Sequence, residues 1–184
     1  VLHQVREVAR ITRQRDVLLV VDGISAVGLS PCPLDEWGLD CLLTGSQKGL
    51  MLPPGLALLA LSERAWEKAA GVTPGCFYFN LLKEREYVAK GQTLFTSAVN
   101  LIVGLDESLD MLLENGLEAV YAKQWALTML PRAGVTAMGL DLFAPEHFAW
   151  GITSVLLPEG VDGTEVLRLA LEKHGVCMAG GQDQ

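Results

Sequence analysis

Two side chains stand where they could do chemistry. Lys48 lies in Thr44-Gly-Ser-Gln-Lys-Gly-Leu-Met-Leu-Pro-Pro-Gly55, directly beyond an apolar run that reads as a buried strand, and Asp22 closes a second such run that begins at Asp16. Open parallel sheets bind ligands in the crevice outside the carboxyl ends of their strands. A lysine placed there and partly removed from water has its charged form disfavoured, so its amine becomes a nucleophile or a base, the starting point of imine chemistry. Taken singly, Lys48 is also the residue type of a solvated surface lysine, and Asp22 that of a turn cap. Their placement argues for more, because an acid at the end of a buried strand calls for a cationic partner in the same crevice.

The elements that must position this pair are readable from periodicity. Leu2, Val5, Val8 and Ala9 fall on one face of an opening amphipathic helix. Asp16 to Asp22 and Leu39 to Thr44 are short continuous apolar runs, the pattern of strands buried on both faces of a parallel sheet. A third run, Gly55 to Leu61, ends at Ser62, a fitting N-cap for a helix through Ala70. Thr73 to Thr93 is broken and aromatic-rich, with a charged helical stretch from Lys83 to Lys90. Ser97 to Glu114 predicts a long, deeply packed helix stopped by Asn115-Gly116, and a further helix from Leu117 should kink or end at Pro131. The remainder reads strand, strand, helix, strand: Leu140 to Phe143, Ile152 to Leu157, Thr164 to His174, and Val176 onward. The expectation is an α/β chain of two parts, with residues 1–120 belonging to a larger sheet domain that includes the long connecting helix, and residues 121–184 to a smaller α+β domain.

Composition narrows the class. Half of the 184 residues are apolar, the net charge is −8, and the Lys and Arg residues are scattered. Nucleic acid and anionic membrane are therefore not expected as partners. No apolar stretch approaches the roughly 18 residues that cross a bilayer, no charged-then-apolar leader opens the chain, and a cytoplasmic protein is expected. Cys32, Cys41, Cys76 and Cys177 form no C-x-x-C pair, and His3, His147 and His174 are isolated, so no metal site is expected and the thiols read as mainly buried. No G-x-G-x-x-G follows either strand, which argues against a nucleotide-binding domain.

An amine and a carboxylate so placed supply both halves of what pyridoxal phosphate (PLP) requires: a lysine for the imine and an acid that keeps the pyridine nitrogen protonated. Leu39 through Leu59 resembles the attachment signature of the class V aminotransferases, most like the alanine–glyoxylate and serine–glyoxylate (serine–pyruvate) group. The likeness continues through Val21-Asp-Gly-Ile-Ser25, Asp35-Glu-Trp-Gly-Leu-Asp40, Thr93-Leu-Phe-Thr96, Leu105-Asp-Glu-Ser-Leu109 and Ala179-Gly-Gly181. It implies a fold-type-I PLP transferase, here part of the large parallel-sheet domain plus most of the smaller C-terminal domain. It further implies that Lys48 forms the internal aldimine and moves the proton, that Asp22 pairs with the pyridinium, and that Ile24 packs on one face of the ring. Gln47 would reach the cofactor phosphate, although its type also suits an exposed amide. Thr93 and Thr96 would contact the phosphate from the other subunit of a homodimer; Thr96 fits better, and it could also cap the long helix. The implied reaction is transamination between a small amino acid, alanine or serine, and a 2-oxo acid, glyoxylate or pyruvate.

The same resemblance marks what is missing or different. Gln47 stands where the cysteine-desulfurase branch has a histidine, and Cys177 reads as a small core residue in a strand, so desulfuration is disfavoured. The family's Gly/Ser-rich phosphate loop and ring-stacking aromatic are not in this chain, and its carboxylate-binding arginine would follow the Gly-Gly segment, beyond Gln184. Arg168 has no site role, since Glu165 and Glu172 lie on its helix face. Val1 falls in the middle of a helical pattern, and the natural protein is expected to extend past both ends. The isolated chain should then be inactive, and the competing reading is a fragment or interaction module that keeps this fold without binding cofactor.

Overall fold

The computed structural model describes residues 1–181. It divides into two compact units, one from His3 to Lys123 and one from Gln124 onward together with Val1 and Leu2.

The first unit is built on a three-stranded sheet in the order β1-β2-β3, with β1 at Val20–Asp22, β2 at Cys41–Gly45 and β3 at Ala57–Leu61. β1 and β2 run parallel, with Val21 opposite Leu42 and Asp22 opposite Leu43, while β3 returns antiparallel to β2. The face carrying Val21 and Leu42 is covered by helix α1, Val5–Gln14, whose Ala9 is fully buried against Val21 and Leu39. Alternation of side chains therefore puts Asp22 and Leu43 on the opposite face. α2, Leu34–Trp37, ends at Gly38 in the left-handed conformation and leads into β2. Three helices follow β3: α3, Glu63–Ala70, capped by the Ser62 hydroxyl as expected; α4, Leu81–Ala89; and α5, Val99–Leu113.

Several expectations are corrected. β1 is shorter than the apolar run that announced it, and it is not buried on both faces, since Val20 is 61% exposed. Leu2 lies ahead of α1 and Val8 is exposed, so only Val5 and Ala9 of the expected face turn inward. α5 has the expected span but is not deeply packed. Ser108 and Leu112 are buried, whereas Val99, Ile102, Val103, Leu109 and Leu113 point away from the core, because apolar residues surround more of this helix than the sheet side can cover.

α6, Leu117–Ala137, runs through Pro131 without ending. The proline removes one N–H···O bond, to the Leu127 carbonyl, but the stripe Thr128, Arg132 and Val135 stays buried on one side and holds the helix. In the second unit Gln124 and the Thr128 hydroxyl donate to the Trp150 carbonyl, and Arg132 donates to the Ala144 and Pro145 carbonyls while stacking 3.6 Å above the Phe148 ring. The two expected strands here reduce to one bridge, Leu142 to Val155. No strand forms at Val176–Gly181, the described part of the last expected strand, where Cys177 is exposed and not a core residue; Cys76 is exposed as well. α7, Gly163–His174, carries Arg168 between Glu165 and Glu172, as its spacing required.

The amino ends of β1 and β2 are tied by one buried carboxylate. Asp40, 1% exposed, accepts from the Leu19 N–H, from the Ser62 hydroxyl and from two nitrogens of Arg64 at 3.0 and 2.7 Å. The Arg64 hydrogen bonds outweigh burial and, helped by Leu19 and Ser62, lower the Asp40 carboxyl from 3.8 to about 2. A folded-state value below the unfolded one adds stability that is fully present above about pH 4 and is lost as the pH falls through about 2. Asp40→Asn is expected to cost about 2 kcal/mol at neutral pH, below the roughly 3–5 kcal/mol of a fully buried pair because Arg64 is open to water. Urea denaturation at pH 6, 4 and 2 checks both points: the variant should lack the acid-side loss that this group contributes.

Candidate active site

The chemistry-bearing residues lie on two turns at the carboxyl ends of the parallel strands. Past Asp22 the parallel ladder continues for one more bond, from the Gly23 N–H to the Leu43 carbonyl. The chain then coils through Ala26 and Val27, whose N–H groups both donate to the Gly23 carbonyl. Asp22 is exposed, and its Oδ1 accepts from the Ile24 N–H at 2.9 Å, so it does cap the turn. That bond uses one lone pair of one oxygen. Among the described residues no ion pair engages Asp22 or Lys48.

Beyond β2 the Lys48 loop is tied from inside. Ser46 is fully buried; its hydroxyl donates to the Pro53 carbonyl at 2.7 Å and accepts from the Leu56 N–H at 3.2 Å. Its backbone binds Leu56 and Leu52, and the Met51 N–H returns to the Lys48 carbonyl. Gln47 and Lys48 project outward from this knot and are exposed.

Two glycines lock the turns to each other. A methyl group on Gly49 would sit 2.2 Å from the Val27 carbonyl oxygen, and one on Gly28 would sit 2.9 Å from the Gly49 carbonyl oxygen. Both obstacles are backbone, which cannot swing aside. Gly28 also has φ near +80°, a conformation that side chains disfavour. Nearby, Ile24 and Gln47 close over Gly45, where a methyl would meet Gln47 Oε1 at 2.5 Å and Ile24 Cδ1 at 3.0 Å.

Of the residues singled out in the sequence, Asp22, Ile24, Gln47 and Lys48 thus share these two adjoining turns. Thr93 and Thr96 stand apart from them, exposed on the segment before α5. Thr96 is not the cap of α5, because the N-cap position is Ala98 and no side chain bonds there. Sequence reasoning missed Gly28, Gly49, Ser46 and Ser108, whose hydroxyl donates to the Leu50 carbonyl. Gly49 follows the lysine directly, but no one-dimensional pattern pairs it with Gly28. The group fits PLP in kind. It offers a primary amine, a carboxylate with spare acceptor capacity, and a floor of glycine beside an aliphatic side chain on which a flat ring could lie.

The chain has the fold of the type-I PLP transferases and covers about half the length of the solved members it superimposes on. The chain belongs to the family described as Aminotransferase class-V, whose profile matches residues 1–183. It is 39% identical over 166 residues to the small subunit of a soluble hydrogenase from Synechococcus sp., covering 90% of this chain and 43% of that one. It is 36% identical over 174 residues to a serine–glyoxylate aminotransferase from Methylorubrum extorquens, covering 91% and 43%. A solved aspartate aminotransferase of subgroup IV from Thermus thermophilus superimposes with a TM-score of 0.89 at 30% identity, covering 97% of this chain and 50% of that one. The chain spans less than half the length of the curated relatives it matches.

The glycine contact makes a direct prediction. Gly49→Ala should destabilise the protein by about 1–3 kcal/mol, the usual cost of forcing atoms into filled space. Gly71→Ala, where a methyl has 3.6 Å to its nearest neighbour, should be tolerated. Denaturant midpoints of the two variants, measured side by side, check the difference.

Proposed function

We propose that the protein catalyses PLP-dependent transamination between a small amino acid, alanine or serine, and a 2-oxo acid, glyoxylate or pyruvate. The observation that carries this reading is the glycine-on-glycine contact that sets the Lys48 amine and the Asp22 carboxylate on adjoining turns. PLP, when bound, supplies an electron sink for the bond broken at the substrate α-carbon.

The residues of the chain do the rest. Lys48 Nζ would hold the cofactor and would move the proton to and from the substrate α-carbon. Asp22, through the carboxylate oxygens that the turn leaves available, would keep the proton on the pyridine nitrogen. Ile24 would pack on the ring, and the Gln47 amide would donate toward the phosphate. Thr93 and Thr96, of which Thr96 fits better, would contact the phosphate of a second copy in a homodimer. A phosphate dianion and a substrate carboxylate call for helix N-termini or bidentate arginines. Because this set offers neither, the 184-residue chain alone is expected to form no glycine from glyoxylate. A cytoplasmic location is part of this reading. Among the described residues no helix is long and apolar enough to cross a membrane.

Borohydride reduction of the complete protein with PLP, followed by peptide mapping, tests the central assignment. The adduct is expected on Lys48, and an adduct on Lys68 or Lys83 would overturn it. A cofactor-free module, the competing reading, would give neither adduct nor visible absorption. Asp22→Asn should lose most turnover and alter the cofactor spectrum; unchanged rates and spectrum would leave Asp22 as a turn cap only. For the shared site, mixing inactive Lys48→Ala with an impaired Thr96→Val should restore some activity, because a hybrid dimer regains one intact site. Failure to regain any activity counts against a threonine supplied in trans.

A further inference from the structure

The Lys48 loop is knotted internally through Ser46, yet among the described residues a single hydrogen bond ties it to a distant element. That bond runs from the Ser108 hydroxyl on α5 to the Leu50 carbonyl at 2.6 Å, with both residues buried. Leu50 is two residues from Lys48. The inward stripe of α5 is otherwise Leu101, Gly104, Leu105 and Leu112, and it lies along the loop: Leu101 reaches Gly55, and Leu52 reaches Gly104. A serine within a helix ordinarily turns its hydroxyl back to its own helix or to solvent. Here the proton goes to the loop, in a place where water cannot replace it.

We propose that Ser108 is a positioning residue that fixes the Lys48 amine relative to Asp22 by holding the Leu50 carbonyl from behind, while the Gly28–Gly49 contact holds the loop from the Asp22 side. The loop is thereby held at two successive residues, Gly49 and Leu50, directly after Lys48. Without the hydroxyl, the buried Leu50 carbonyl loses its donor and regains one only by turning toward solvent. That turn acts on the backbone two residues from Lys48. The consequence for Lys48 rests on the attachment role proposed above; the clamp itself does not.

The test uses the complete protein with Ser108→Ala and the near-isosteric Ser108→Cys, a weaker donor. In the cofactor-free form, amide hydrogen exchange of residues 47–52 should quicken about fivefold in the alanine variant, the equivalent of one ordinary hydrogen bond, and by less in the cysteine variant. Exchange in α1 and β1 should not change. With PLP, the pH at which the visible absorption titrates should shift, and kcat should fall while the KM for the amino donor holds. Unchanged loop exchange in both variants would overturn the proposal. Acceleration spread evenly along the chain would also overturn it, making Ser108 a packing residue only. If the alanine variant does not fold, the cysteine variant is read by the same criteria. A faster loop in a protein whose PLP adduct maps away from Lys48 would sustain the clamp and sink the attachment role, so the two readings fail separately.

Discussion

The separation between two backbone turns is the constraint on which the rest of this chain depends. At Gly49 the polypeptide passes so close to the Val27 carbonyl that no side chain could stand between them. Hydrogen bonds hold β1 and β2 in register only as far as the Gly23–Leu43 bond. Beyond it, contact between glycines replaces pairing. The backbones from which the Lys48 and Asp22 side chains start are thus held against each other.

The sheet is chemically polarised along its strands. At the amino ends, Asp40 is sealed among Arg64, Ser62 and the Leu19 amide, with every partner supplied from within the protein. At the carboxyl ends, Asp22 and Lys48 are exposed and share no ion pair. The Asp40–Arg64 pair fastens the strands at this end. The exposed pair leaves its charges available beyond the carboxyl ends of the strands, the side on which open parallel sheets take ligands.

The second unit solves a different problem with similar means. Its strands scarcely pair, and order in the 144–150 segment comes from three polar side chains spaced one turn apart on α6, Gln124, Thr128 and Arg132, which bind carbonyls of that segment. Beside them Trp125 stacks on Phe148 and meets Trp150 at a tilt. A helix that sets one tryptophan beside a hydrogen-bonding stripe can order an irregular segment without a sheet.

Much of the candidate site's placement was readable from the sequence because it depends on local order: an apolar run, then a turn, then a lysine or an acid. Ser62 as a cap and Arg168 between two glutamates were legible for the same reason, since their partners lie within four residues. Strand length and burial were not. The run from Asp16 to Asp22 forms only three residues of strand, because pairing depends on a neighbour's backbone and not on the run's own hydrophobicity. The alternating segments near Leu142 and Val155 likewise meet at one bridge. Gly28 with Gly49, and Ser108 with Leu50, are separated by 21 and 58 residues in the chain. No periodicity links such positions, and only the folded chain brings them together. The sequence by itself therefore determined which groups could react. The tertiary structure decided that their two turns adjoin, because that juxtaposition is made by backbone contacts between segments remote in sequence.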